Sequence, residues 1–135
     1  MKAIIPYLNF DGNTREAMEF YKKCTGGNLA IQSFADAKMP VPPGTEQRIV
    51  HAHLTSGGGE LMASDTMPGQ PLHQGNNVYV SVQCDTVEEI DRLFKGLSDG
   101  ATITMPLADQ FWGAKFGMLI DKFGVNWMFN CELKK

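Results

Sequence analysis

The chain carries the same succession of structural signals twice, and that repetition constrains its fold more than any other feature. Residues 3–10 (AIIPYLNF) read as a strand ending at the turn signal Asp11-Gly12-Asn13. Asn13 or Thr14 can cap a helix whose apolar positions Ala17, Met18, Tyr21 and Cys24 recur at helical spacing, and Gly26-Gly27 stops it. Strands follow at 28–35, near 48–55 and near 60–65, the last two joined at Ser56-Gly57-Gly58-Gly59. The order then restarts. NVYVSVQC (77–84) alternates strictly, and Asp85 or Thr86 can cap a helix carrying Val87, Ile90, Leu93, Phe94 and Leu97. Glu88 and Glu89 suit its first turn, and Asp99-Gly100 ends it. ATITMPL reads as a strand, and GAKFGMLID with VNWMFNC as a hairpin about Lys122-Phe123-Gly124. Each half is therefore βαβββ, and the expectation is an α+β fold of two modules, about 1–66 and 76–135, in one domain spanning 1–135.

Two segments interrupt this pattern. DAKMPVPPGTEQ (36–47) is long for a plain connector and suggests a lid or binding loop. TMPGQPLHQGN (66–76) has the turn and proline content of a linker, and the His73 within it is expected to be solvated. A formal net charge of −3 gives no electrostatic reason to expect nucleic acid or an anionic membrane as partner. No run of 18 apolar residues exists for a transmembrane helix, and MKAIIPYLNF reads as a first strand rather than a signal peptide. Cys24, Cys84 and Cys131 are odd in number and lack a C-x-x-C pair, which argues against a disulfide framework or zinc cage and for a cytoplasmic location. Cys84 and Cys131 read as small buried hydrophobes.

Strand alternation indicates where chemistry would sit. Val50, Ala52 and Leu54 oppose His51, His53 and Thr55; Val78, Val80 and Val82 oppose Asn77, Tyr79, Ser81 and Gln83; Val125, Trp127 and Phe129 oppose Asn126, Met128 and Asn130. With apolar faces turned to the helices, the polar faces line a concave surface that holds both histidines. His51-x-His53 places two imidazoles on one side of one strand, where they can form a hydrogen-bond network, act as acid and base, or begin a metal site with Glu60 across the glycine turn. Asp65 ends its strand as an Asx turn or as a carboxylate at the cleft mouth. Trp112, between Phe111 and Gly113, could wall a pocket, whereas Trp127 faces the core and Lys122 the solvent. No GxxxxGK[ST], GxGxxG opening a helix, or GxSxG is present, so nucleotide loops and a nucleophile elbow are unsupported.

Through PYLNFDGNTREAMEFY (6–21), HAHL (51–54), LMASD (61–65) and FWGAKFGMLIDKFGVNWM (111–128), the chain resembles the vicinal oxygen chelate superfamily. This is the glyoxalase/bleomycin resistance/dioxygenase fold, and the resemblance is closest to its PhnB-like branch. It implies paired βαβββ modules in a curved mixed sheet with helices on the convex side, and a homodimer. It also implies, in metal-dependent members, one ligand on the first and last strand of each module. Those positions read as Pro6, Met62, Asn77 and Met128. Proline offers no side-chain donor, methionine is a poor ligand for hard or borderline metals, and Asn77 alone could contribute a weak oxygen, so no cofactor is expected. The resulting expectation is a PhnB-like protein that binds a small organic molecule in a cleft through His51, His53, Tyr79, Trp112 and Asn130, with His51 and His53 as catalytic candidates. One alternative is a divalent-metal-dependent lyase or dioxygenase using His51, His53 and Glu60 at a displaced site. A second is a binding protein that sequesters an antibiotic, as bleomycin-resistance relatives do. Some PhnB-like sequences are labelled ubiquinone methyltransferases, but nothing here resembles the glycine-rich loop of the common methyltransferase fold.

Overall fold

Pro6 has no N–H to give to a strand ladder, and β1 (Tyr7–Phe10) starts immediately after it rather than at residue 3. The computed structural model describes residues 1–133. It continues through α1 (Thr14–Thr25), β2 (Asn28–Ser33), β3 (Ile49–Ser56) and β4 (Gly59–Asp65), then β5 (Val80–Cys84), α2 (Val87–Leu97), β6 (Thr102–Asp109), β7 (Ala114–Ile120) and β8 (Asn126–Glu132). This is the βαβββ order twice over. Among the described residues no helix is long and apolar enough to cross a membrane.

The chain divides into two compact units, the first Met1–His73 and the second starting at Gln74. Each holds a four-stranded mixed sheet. In the first the order is β1-β4-β3-β2, with β1 parallel to β4 and the other pairs antiparallel. In the second it is β5-β8-β7-β6, with β5 parallel to β8. The strand expected from residue 77 begins only at Val80. Its parallel neighbour β8 begins at Asn126, and Val80 already lies opposite Trp127, so residues farther upstream have no ladder to join. Instead the Asn126 side chain donates to the carbonyls of Gly75 and Val78, each at 3.4 Å. Pro106 is accommodated in β6 because that strand is an edge, and its register slips on either side of Met105.

One helix covers one face of each sheet. Ala17, Met18 and Tyr21 of α1 are buried, as their spacing predicts, while Cys24 is only partly so. Beneath them lie Phe10, Ala52, Leu54, Leu61 and Ala63. In the second unit Ile90, Leu93, Phe94 and Leu97 meet a layer containing Leu119, Trp127 and Phe129, with Phe94 edge-on to Phe129 at 5.2 Å. The glycines after α1 divide two tasks. Gly26 takes the left-handed conformation (φ 73°) and donates to the Lys22 carbonyl, whereas a side chain on Gly27 would collide with the Thr55 carbonyl oxygen. The face assigned to Val50 needs correction. A bulge in β3 pairs Gln32 with His51 but Ser33 with Ile49, so Ile49 takes the buried place and Val50 is half-buried.

Helix entry differs between the units. Thr86 caps α2, accepting from the Glu89 N–H at 3.1 Å, while the Glu89 carboxylate accepts from the Asp85 N–H at 2.9 Å. Neither Asn13 nor Thr14 does this for α1, and Asn13 makes no side-chain cap. The cap comes from the far end of β4. Asp65 is neither an Asx turn nor a carboxylate at a cleft mouth; it is 5% exposed and serves as a clasp. Its Oδ1 accepts from Gly12 N–H (2.8 Å), Thr14 N–H (3.1 Å) and the Thr14 hydroxyl (2.7 Å), and its Oδ2 accepts from Ile49 N–H at 2.7 Å. Asp121 is the corresponding buried carboxylate of the second unit. It accepts from Phe123 N–H, Val125 N–H and the Trp127 indole, which closes the β7–β8 turn and holds Trp127 in the core as its spacing predicts.

The 36–47 segment is tied at its base. Phe34 N–H donates to the Arg48 carbonyl and Ala35 N–H to the Glu46 carbonyl, while Ser33 and Asp36 exchange two hydrogen bonds of 3.0 Å. The backbone and then the hydroxyl of Ser33 hold the Asp36 carboxyl below its ordinary range.

Replacing Asp65 with alanine strands four donors at the α1 entry and the start of β3. The expected loss is on the order of 3 kcal/mol, read as a lower urea midpoint at unchanged slope. The Asp65→Asn variant should lie between, because an amide keeps one acceptor oxygen and turns the other position into a donor facing N–H groups.

Candidate functional site

The face of the first sheet that α1 leaves uncovered follows from register, because residues directly opposite one another share a face. Tyr7 of β1 lies opposite Met62 of β4, Met62 opposite His53 of β3, and His53 opposite Ala30 of β2. His51 is two residues from His53 on the same side, and its ring centroid is 6.4 Å away at an interplanar angle of 55°. Both histidines therefore sit on the open face, opposite Ala52 and Leu54, where the alternation puts them.

Each imidazole is held through one nitrogen. The Tyr7 hydroxyl reaches across β4 to within 3.0 Å of His51 Nδ1. Glu60 Oε1 lies 2.8 Å from His53 Nε2. Glu60, near the turn, is thus not too far away to converge, but it engages one histidine rather than a shared centre. Tyr7 is the residue sequence reasoning passed over. The signal was its place in the alternation of β1, since with Phe10 in the core Tyr7 and Asn9 belong to the other face. The remaining nitrogens, His51 Nε2 and His53 Nδ1, have no protein partner among the described residues.

The other candidate residues lie in the second unit. On the open face of its sheet, Asn130 Nδ2 donates to Gln83 Oε1 at 3.0 Å. Phe116 stands opposite both Asn130 and Ala108, and Met118 opposite both Met128 and Met105. This face is richer in thioether and aromatic groups than the alternation of β8 alone suggests. Trp112 is 52% exposed in the β6–β7 turn, edge-on to Phe111 at 5.1 Å and to Phe116 at 5.9 Å. Two shallow depressions, of about 540 and 350 Å³, share Asn130, Glu132 and Leu133; Cys84 borders the larger and Trp112 the smaller. Tyr79 precedes β5 and is half-buried. Both of these depressions are in the second unit, whereas the two tethered imidazoles are in the first. In these depressions the positioned amide of Asn130 is already bonded to Gln83, whereas each tethered imidazole keeps one nitrogen without a protein partner.

The positions implied for a metal do not assemble a donor set. Pro6 contributes only its backbone carbonyl, which accepts from Met62 N–H at 3.0 Å, and Tyr7 rather than Pro6 faces the open side. Met62 and Met128 offer thioethers. Asn77 is exposed ahead of β5, and the residue opposite Met128 is Ser81. Among the described residues no group of three or more histidine, cysteine, aspartate or glutamate side chains is placed to hold an ion.

Residues 2–129 match the family described as 3-demethylubiquinone-9 3-methyltransferase. The structure of PA1353 from Pseudomonas aeruginosa is 42% identical, superposes with a TM-score of 0.89, and the match covers 99% of this chain and all of that one. The PhnB protein from Bacillus cereus is 32% identical with a TM-score of 0.79, covering 96% and 99%. A glyoxalase/bleomycin resistance/dioxygenase domain from Frankia sp. shares the fold at 13% identity, with a TM-score of 0.70 and coverage of 99% and 93%.

Cys84 borders a depression but is not poised as a nucleophile, since burial first, then Glu89 and Cys131, push its thiol up to about 11. Alkylation of the native protein with iodoacetamide at pH 8 should therefore label Cys24 ahead of Cys84 and Cys131, and all three only after unfolding. Peptide mapping by mass spectrometry reads the order.

Proposed function

From the premise that this chain belongs to the PhnB-like family, within the glyoxalase/bleomycin resistance/dioxygenase fold, we propose that it binds a small organic molecule on the open sheet face of its first unit. One observation carries this reading: His51 and His53 are each tethered through one nitrogen, each leaves the other nitrogen without a protein partner, and Met62 stands opposite His53. Tethering removes rotamer freedom before a ligand arrives, so less ordering is lost on binding. A thioether and a phenol ring supply apolar contact, and the free nitrogens supply direction.

The reading is metal-free. The positions implied for the superfamily metal offer thioethers and a proline, and Glu60 is committed to His53. The family description names a methyl transfer. A transferase needs a second site for the methyl donor, and the strand-to-helix turns here, Asp11-Gly12-Asn13 and Asp85-Thr86, are not glycine-rich loops of the kind that cradle such cofactors. Trp112 and Asn130 would contribute an apolar wall and an amide to binding in the second unit.

Titration with a fragment library, followed by chemical-shift changes, should give its largest perturbations at Tyr7, His51, His53 and the Met62 methyl. The His51→Ala/His53→Ala double variant should lose at least tenfold in affinity for the best fragment, about 1.4 kcal/mol. Tight stoichiometric binding of Zn²⁺, Ni²⁺, Mn²⁺ or Fe²⁺ in a calorimeter would overturn the metal-free reading.

A further inference from the structure

The tethers also decide which end of each imidazole meets the ligand. A carboxylate only accepts, so the 2.8 Å contact from Glu60 puts the proton of neutral His53 on Nε2 and leaves a lone pair on Nδ1. A phenol is the stronger acid and an imidazole nitrogen the stronger base, so across the 3.0 Å contact the Tyr7 hydroxyl donates to His51 Nδ1. That leaves the proton of His51 on Nε2. Both rings hold the same tautomer, yet because they are gripped at opposite nitrogens they present opposite functions. His51 offers an N–H and His53 offers a lone pair.

We propose that this pair recognises a planar lactam or cyclic imide, whose C=O accepts from His51 Nε2–H while its ring N–H donates to His53 Nδ1. The inference rests on the reading that this face binds small organic molecules. Ring centroids 6.4 Å apart leave room for the adjacent N–H and C=O of one ligand edge, reached by two hydrogen bonds of about 2.9 Å each. Met62, in register between Tyr7 and His53, provides a thioether floor for a flat ring. On the other side of His53 the register position is Ala30, which adds almost no bulk, so the ligand can extend over β2. A ligand without the N–H would leave the His53 lone pair unpaired, and this is the source of discrimination.

The probes are 2-pyridone, which carries the N–H and C=O side by side, and N-methyl-2-pyridone, in which the donor is blocked. Long-range ¹⁵N–¹H spectra of the free protein should show both histidines in the Nε2–H form. Addition of 2-pyridone should shift His51 Nε2 and His53 Nδ1, with affinity at least tenfold above that of the N-methyl compound. Glu60 is exposed, so Glu60→Lys should fold, and a lysine ammonium can only donate to Nε2. That variant should move the His53 proton to Nδ1 and abolish the tenfold preference. Either histidine in the Nδ1–H form in the unaltered protein would overturn the proposal. Equal binding of the two pyridones at both imidazoles would overturn it too, while leaving the face a binding site. No shift at either imidazole with 2-pyridone also overturns it, and the fragment titration then decides separately whether the broader reading survives.

Discussion

The first unit depends on one buried carboxylate. Asp65 stands at the end of β4, and its two oxygens join three segments that are far apart in sequence: the turn into α1 at Gly12 and Thr14, the start of β3 at Ile49, and its own strand. A buried charge is tolerated only when its lone pairs are filled, and four donors fill them. Arg48 reinforces the same corner, donating to Asp11 and to the carbonyl and hydroxyl of Thr66. The anchored N–H at Ile49 sits next to the bulge at Val50, the point where β3 changes which residues face the helix. Downstream of it Ala52 and Leu54 are committed to the core, and His51 and His53 to the open face. The face that the imidazoles take is thus set beside a residue that touches neither of them, while Tyr7 and Glu60 hold the rings themselves.

That dependence marks the boundary of what the sequence made legible. Periodicity, turn glycines and the repeated order of elements are local signals, and they located both helices and the strands to within a few residues. The opposition of His51 and His53 to Ala52 and Leu54 is likewise a property of one strand. The Asp65 clasp spans some fifty residues of chain, and nothing local separates a carboxylate that caps a distant helix from one that ends a strand in an Asx turn. The bond between Tyr7 and His51 is hidden for the same reason, since the two lie two strands apart in the sheet, although the alternation of β1 does place Tyr7 on the open face. The late start of β5 was also invisible, because alternation reports side-chain faces and not whether a neighbouring strand is present to pair with.

The implied metal positions show how register refines a resemblance. Counting along a motif assigns one residue per strand, but the ladder decides which residues are neighbours. Opposite Met62 it places Tyr7, and opposite Met128 it places Ser81. The corresponding cross-strand pairs are Tyr7–Met62 and Ser81–Met128, each joining a hydroxyl to a thioether. Neither hydroxyl is a strong ligand for a divalent ion when neutral, so correcting the register by one residue in the first unit and by four in the second adds no strong donor at these positions.

The two units also show how a duplicated scaffold separates stability from chemistry. Both build βαβββ around one helix and one buried aspartate, yet Asp65 serves helix entry, whereas Asp121 serves a hairpin turn and leaves helix entry to the local Thr86–Glu89 pair. Once each unit has its own means of holding the sheet, the open faces are free to differ. The second became a surface of thioether and aromatic groups with one amide pair, and the first carries two imidazoles with a phenol and a carboxylate. Fold alone cannot assign function to either face, because the covered halves of the two sheets are built on the same plan. The difference is in hydrogen-bonding valence. Asn130 has already spent a donor on Gln83, whereas His51 and His53 each keep a nitrogen whose role, donor or acceptor, is set in advance by the neighbour on the other side of the ring.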